Sequence, residues 1–363
     1  MIFIFLKIFL FFHFLFNLLK KFFCTIITKK FKDFTVSEVE ILEKIKSELN
    51  IIEETLKTYL DSQHPFINQV SEYIIFSGGK RIRPLLTVLC AKLFLNENLN
   101  NRYLETIYRT SILFEYLHAA TLLHDDVVDS AEFRRGRKAA RNLWGNQATI
   151  LVGDYLYAKA LRLASLLENP RVMDVITQTT LLMSEGEILQ LLNLDNTTLT
   201  EAEYEEVIYR KTAVLISACC EVGAILGEAK PNECLLLKNF GKYLGLAFQI
   251  IDDLLDYLSE ETGKDLGKDF KEGKITLPVI YALQLADTEE KNTLLYLLKT
   301  PEVEKKDFET AKKIIEKNQG FIKSKEKAEQ YINLAKDCLK ELPNNFYKDL
   351  LLFISDYLLK RKK

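Results

Sequence analysis

From Thr35 onward the apolar positions recur at three-and-four spacing. Val36, Val39, Ile41, Leu42, Ile45, Leu49, Ile52 and Leu56 mark one face of a helix, which the Ser62-Gln63-His64-Pro65 stretch interrupts. A second helix is predicted over Phe66 to Phe76, stopped by Gly78-Gly79. Pro84 then falls in the first turn of a third, where its missing N–H is tolerated. Arg102 to Asp129 reads as one long helix. Thr200-Glu201-Ala202-Glu203 has the form of a capping box opening another, and Gly241 to Leu258 forms a further one. No run alternates with a convincing period of two, and no Ser/Gly/Pro-rich linker divides the chain. Residues 33–363 are therefore predicted to be one all-α domain, with helices carrying enough apolar surface to require a bundle around a shared interior.

Residues 1–32 follow a different pattern. Met1 to Leu19 is almost wholly Phe, Ile and Leu, broken by Lys7, His13 and Asn17. As a helix this stretch is about 28 Å long, close to a hydrocarbon core. Lys20, Lys21, Lys29, Lys30 and Lys32 follow it, which would leave the rest of the chain on the cytoplasmic side. A secretory signal lacks its small-residue cleavage site here, and a mitochondrial presequence lacks its arginines and amphipathicity. Two readings stay open: a cytoplasmic protein held to the inner face of a membrane through residues 1–19, or an extension from a mis-called start.

Composition narrows the rest. The 363 residues carry 49 basic and 51 acidic side chains, net −2, so no global field points to nucleic acid. Six cysteines without C-x-x-C spacing read as reduced thiols. Fourteen glycines and seven prolines are too few for a loop-rich all-β fold.

Against that neutral background stand two acidic strings, Asp125-Asp126-Val127-Val128-Asp129 and Asp252-Asp253-Leu254-Leu255-Asp256. Both follow apolar sequence, where carboxylates are costly unless paired or bound to a cation. On a helix the first and last aspartates of each string share a face. Two faces of hard oxygen ligands suit Mg²⁺, whose remaining positions go to water and phosphate oxygens. One string alone is usually a solvated helix turn; its recurrence 127 positions later reverses that reading.

Cations cluster nearby. Arg134-Arg135-Gly136-Arg137-Lys138 follows the first string, and Gly78-Gly79-Lys80-Arg81-Ile82-Arg83-Pro84 combines backbone freedom with cations at a helix start. A diphosphate explains both signs of charge, Mg²⁺ bridging its oxygens and guanidinium forks binding it. Phosphate-loop spacing is absent. Lys211, Lys264 and Lys274 are individually ordinary surface lysines, raised only by their placement.

The stretches GGKRIRP, LLHDDVVDSAEFRRG, the Lys211-Thr212 pair, FQIIDDLLD and TGKDLGKDFKEGKITLP together resemble the trans-isoprenyl diphosphate synthases, or polyprenyl synthetases, across roughly residues 40–360. The resemblance implies an all-α isoprenoid-synthase bundle, usually a homodimer, with the strings facing each other across a deep central cavity. Its metal positions map onto Asp125, Asp126 and Asp129 in the first string and Asp252 and Asp256 in the second. Asp125 and Asp129 would hold two Mg²⁺ ions and Asp252, supported by Asp256, a third. Lys80, Arg83, His118 and Arg135 match positions for isopentenyl diphosphate. Arg134, Lys211, Thr212, Gln249, Lys264 and Lys274 match those gripping an allylic diphosphate. The implied reaction is ionisation, condensation and elimination, for which no histidine or glutamate base is needed. His124, beside Asp125, is left outside the site, and from spacing alone His118 would be a satisfied core histidine.

Product length is read from the helix carrying Asp125. Thr121 and Ala120 lie about one turn, or 5.4 Å, below it. Leu117 lies about two turns down and Phe114 about three. Short-chain members of the family place an aromatic floor where Ala120 and Thr121 stand, so a long-chain, quinone-type product is expected. The alternatives are a short-chain synthase, a class I terpene cyclase, whose second motif is usually of Asn/Ser/Glu type, and a non-catalytic subunit, which usually lacks one string.

Overall fold

The computed structural model describes residues 36–95, 100–258, 267–300 and 304–360. The chain separates into two units, Met1–Ser47 and Glu48–Lys363. The apolar segment 1–32 lies outside the described residues. No described helix is long and apolar enough to cross a membrane.

Helices dominate in the order α1 (Val36–Tyr59), α2 (Pro65–Ile75), α3 (Ile82–Lys92), α4 (Asn101–Ser111), α5 (Leu113–Val128), α6 (Ala140–Ser165) and α7 (Pro170–Leu192). Then come α8 (Glu201–Ile208), a π turn (Tyr209–Ala213), α9 (Val214–Leu226), α10 (Pro231–Leu258), α11 (Lys268–Lys271) and α12 (Leu277–Leu285). The chain continues through α13 (Thr288–Leu298), α14 (Lys305–Lys317), α15 (Gly320–Leu339) and α16 (Phe346–Leu359). Strands, among the described residues, are confined to the hairpin β1 (Phe133–Arg134) and β2 (Arg137–Lys138). Its turn residues Arg135 and Gly136 both have positive φ, 52° and 73°, the geometry that matches the twist of a two-residue hairpin. This small hairpin escaped the search for alternating patterns because it has no apolar face.

The all-α expectation holds, with particular differences. Pro65 takes the first turn of α2 instead of lying in the break before it. The predicted helix 102–129 is two, α4 and α5, meeting at Ile112. Thr110 donates its hydroxyl to the Thr106 carbonyl at 2.7 Å and Ser111 to that of Tyr108 at 2.7 Å. Such back-bonding competes with the helical ladder and bends it. α10 begins at Pro231, not Gly241, so Gly241 is an interior residue that allows close approach to α9. The capping box before α8 is present: the Glu203 amide donates to Thr200 Oγ1 at 3.3 Å and the Thr200 amide to Glu203 Oε2 at 2.8 Å.

α5 packs on α6, α9 on both α3 and α10, and α10 on α15. Phe114, Tyr116, Phe240, Tyr257 and Phe270 are the largest fully buried side chains. Two of them, Phe114 and Tyr116, lie on α5, and two, Phe240 and Tyr257, on α10. The helices bearing the acidic strings are thus fixed by aromatic packing, which removes roughly 150–250 Å² per ring from water.

Candidate active site

The two strings converge. Asp125, at the C-terminal turn of α5, and Asp129, just past it, line a cavity of about 320 Å³ with Asp252 and Asp253 of α10. Asp269 of α11 completes the acidic wall, and Arg134, Lys211, Lys268 and Lys274 provide cations. Burial pushes the Asp125 carboxyl up to about 6; Lys211 opposes the shift, while Glu187 and Asp129 add to it. A carboxylate held so reluctantly as an anion gains from a nearby cation.

The middle aspartate of the first string has another task. Asp126 is fully buried and accepts from Arg134 Nε at 2.5 Å. Its Oδ2 has no hydrogen-bond partner among the described residues. Burial raises its pKa and Arg134 opposes that rise. Asp126 therefore braces a cavity-lining guanidinium and does not itself line the cavity.

In the second string, Asp252 lines the cavity and Asp253 is tied into a relay of hydrogen bonds. Tyr204 donates to Asp253 Oδ2 at 2.6 Å, and Gln249 Nε2 donates to Asp253 Oδ1 at 2.8 Å. Thr212 in turn donates to Gln249 Oε1 at 2.8 Å. Burial and Asp269 push the Asp253 carboxyl well up. Asp256 accepts from the amides of Lys268 at 3.3 Å and Asp269 at 3.1 Å, so it caps the start of α11 and is not part of the cavity lining. Burial, then Asp269, moves its carboxyl up to about 7.

Lys274 joins the two sides. Its ammonium lies 3.8 Å from Asp129, 3.8 Å from Asp269 and 2.7 Å from Glu272. Burial would lower its pKa, but Asp269, Glu272 and Asp129 outweigh that and raise it. Lys211 Nζ sits 2.6 Å from Glu187 Oε2. Lys264 lies outside the described residues.

Of the remaining expected positions, Arg83, His118 and Arg135 form a cationic cluster. His118 is held neutral by burial and, after that, by the fields of Arg83, Arg135, Arg134 and Arg81. Arg83 has a buried Nε with no hydrogen-bond partner among the described residues, and burial lowers its pKa. Arg135 donates from Nη1 to the Gly78 carbonyl. Gly78 and Gly79 have φ of 122° and 133°, which lets this backbone approach the guanidiniums. Lys80 is exposed. A partnerless guanidinium N–H among other guanidiniums fits an anionic ligand.

A second cavity, of about 250 Å³, is lined by Leu117, Ala120, Thr121 and His124 of α5, Asp154 and Tyr157 of α6, and Thr180, Met183, Ser184 and Glu187 of α7, so His124, left outside the site by the sequence, borders this cavity. Asp125 lines both cavities. Phe114 is fully buried and does not line this one.

Four contributors escaped the sequence reading. Asp269 and Lys268 were hidden in a stretch where lysines and acids alternate, and nothing in that pattern singles them out. Tyr204 and Glu187 come from separate helices, and nothing local marks them. Arg81 was legible only as another cation; it is 5% exposed, pairs with Glu53 at 2.7 Å and Glu115 at 3.2 Å, and donates to the Ile75 carbonyl at 2.7 Å. That makes it the anchor of the start of α3, the helix that carries Arg83.

The oxygen donors suit a hard divalent cation, Asp125, Asp129, Asp252, Asp253 and Asp269 being the carboxylates that line the cavity. Among the described residues no three acidic, histidine or cysteine side chains converge closely enough to hold an ion unaided. Ligand oxygens and water must complete the shell.

Comparison with known proteins follows the same line. The polyprenyl synthetase profile matches residues 64–315. The octaprenyl diphosphate synthase of Escherichia coli strain K12 is 43% identical over 233 residues, 64% of this chain and 70% of that protein. A prenyl transferase of Cyanophora paradoxa is 35% identical over 328 residues, 90% of this chain and 99% of that one. A decaprenyl diphosphate synthase from Rhodobacter capsulatus superposes with a TM-score of 0.82 at 35% identity, covering 89% of this chain and 99% of its own. A Caulobacter crescentus polyprenyl synthase, solved with calcium and isoprenyl diphosphate, does so with a TM-score of 0.82 at 32% identity, covering 89% and 97%.

Proposed function

The chain belongs to the polyprenyl synthetase family and is a prenyltransferase; we propose that it condenses isopentenyl diphosphate head-to-tail onto an allylic diphosphate to give a long-chain all-trans-polyprenyl diphosphate of quinone side-chain type. The observation carrying the reading is the convergence of Asp125, Asp129 and Asp252 on one cation-edged cavity whose neighbour opens under Asp125 between Ala120 and Thr121. Small side chains at that level leave room for a growing tail. The octaprenyl, heptaprenyl and decaprenyl synthases among its relatives support the same length class.

Asp125, Asp129 and Asp252 would hold Mg²⁺, three ions with substrate bound, and the metal supplies neutralisation of diphosphate charge. Arg134, Lys211, Lys274 and, beyond the described residues, Lys264 grip the allylic diphosphate and stabilise its negative charge as the C–O bond breaks. Thr212 and Gln249, oriented through Asp253 and Tyr204, fix its position. Lys80, Arg83, His118 and Arg135 hold isopentenyl diphosphate, whose double bond attacks the allylic cation. A proton then leaves to the departing diphosphate. Leu117, Ala120 and Met183 of the cavity under Asp125 offer the growing tail apolar contacts. Asp126 and Asp256 act through what they brace, Arg134 and the α11 amides.

Two further parts of the reading concern assembly. Leu143, Ile150 and Tyr157 recur seven apart on α6, and Leu181, Ile188 and Leu192 line α7, all exposed in the single chain. Such stripes favour a homodimer across α6 and α7. Membrane attachment through residues 1–19 is the corresponding proposal for the N-terminal segment, with residues 33–363 as the catalytic domain. Incubation with labelled isopentenyl diphosphate, farnesyl or geranylgeranyl diphosphate and Mg²⁺ tests the activity. Chain-extended polyprenyl products are expected; cyclic hydrocarbon or no incorporation would overturn it.

A further inference from the structure

The π turn between α8 and α9 carries both Lys211 and Thr212, and its geometry is unusual in what it rests on. The Val214 amide donates to the Tyr209 carbonyl, five residues back, so the turn is wider than the α-helices on either side. A widened turn brings consecutive residues to bear on one region, here the cavity lined by Lys211, Thr212 and Ile208. Such turns are rare and need support from outside.

That support comes from two glycines on different helices. A Cβ on Gly186 of α7 would sit 2.6 Å from the Lys211 amide nitrogen and 2.8 Å from the Arg210 carbonyl carbon. A Cβ on Gly245 of α10 would sit 2.6 Å from Ala213 Cα and 2.7 Å from its Cβ. These contacts are with backbone or Cβ atoms, which cannot swing aside as the end of a long side chain can. Both glycines are buried. The side chains flanking Gly186 hold the same turn: Glu185 pairs with Arg210 and Glu187 with Lys211. Gly245 lies one turn before Gln249, the partner of Thr212.

We propose that Gly186 and Gly245 are positioning residues, forming a slot that seats the π turn and so aims Lys211 and Thr212 at the diphosphate of the allylic substrate. The substrate assignment rests on the proposed function; the slot itself rests on the backbone contacts. Filling either side displaces the turn, misdirects the ammonium and hydroxyl, and leaves the guanidiniums around His118 untouched.

Gly241→Ala provides the comparison. Its added Cβ would lie 2.7 Å from the Ile216 carbonyl oxygen, also between α9 and α10, but away from the π turn. The test measures Mg-dependent binding of inorganic diphosphate, KM for each substrate and thermal midpoint for Gly186→Ala, Gly245→Ala and Gly241→Ala. Loss of a charge-assisted contact corresponds to about a tenfold weakening. Either slot variant is expected to weaken diphosphate binding and raise KM for the allylic diphosphate by about that factor, with KM for isopentenyl diphosphate within about twofold. Gly241→Ala is expected to lower the midpoint without moving either constant. In a Lys211→Met background, Gly186→Ala should cost little more affinity, because both act on one group. Equal effects of Gly241→Ala and Gly245→Ala on the binding constants, or wild-type diphosphate affinity in Gly186→Ala, would overturn the proposal. If one slot variant fails to fold, the other against Gly241→Ala decides. If wild type binds diphosphate yet elongates no prenyl chain, the activity assignment fails while the slot is still judged by binding.

Discussion

The two acidic strings share a five-residue pattern but divide their labour differently. In the first, the outer aspartates Asp125 and Asp129 reach the cavity and the inner Asp126 turns away to brace Arg134. In the second, Asp252 and Asp253 line the cavity, Asp253 being held by Tyr204 and Gln249, while the last aspartate caps α11. The difference follows from what surrounds each helix end. α5 gives way at Asp129 to a hairpin that returns Arg134 against it. α10 runs on past Asp256 into a stretch whose later amides need an acceptor. A motif of identical letters is therefore not a set of identical roles.

That contrast can be broken most directly at the positions where the strings agree. Asp125→Ala and Asp252→Ala should each lower elongation by about 10²–10³-fold, measured by label incorporation under saturating Mg²⁺. Parental rates in either variant would remove the shared role. Next in size is Asp126→Ala. Breaking a buried ion pair costs about 3 kcal/mol, so a thermal midpoint well below wild type is expected. Its effect on KM for the allylic diphosphate should merge with that of Arg134→Ala in the double variant; simple additivity would assign Asp126 a separate function. Asp256→Asn should do less, since losing one cap costs about 1 kcal/mol, read as a small drop in denaturation midpoint with activity largely kept. A loss matching Asp252→Ala would instead make the strings equivalent. The mildest change is Ala120→Phe, one turn below the first string. The rate of the first condensation should hold while chromatography shows shorter products, and an unchanged product distribution would dismiss the small-residue argument.

Much of this arrangement was legible in the chain because it is written in local spacing. The three-and-four periodicity, the capping box at Thr200 and the recurrence of the acidic string need no knowledge of distant contacts. What stayed hidden depends on partners far away in sequence. Ser111 and Thr110 look ordinary until their hydroxyls turn on the preceding carbonyls and divide the helix at Ile112. Gly241 resembles a helix boundary until α9 is found against it. Asp126 and Asp129 are indistinguishable as letters, and only the return of Arg134 separates them. Arg81 and Arg83, two residues apart, divide into a paired anchor and a group whose buried Nε has no partner among the described residues, because Glu53 and Glu115 pair with the first.

Asp125 borders both cavities, so on the proposed function the reacting head and the growing tail of the chain would meet at one carboxylate. With each added unit the head would return to the same anchoring point and the tail would be driven deeper. On the proposed function the enzyme would work as a ruler read from a fixed zero: the depth of the second cavity would set where growth ends, and the chemistry at its rim would be the same for every round.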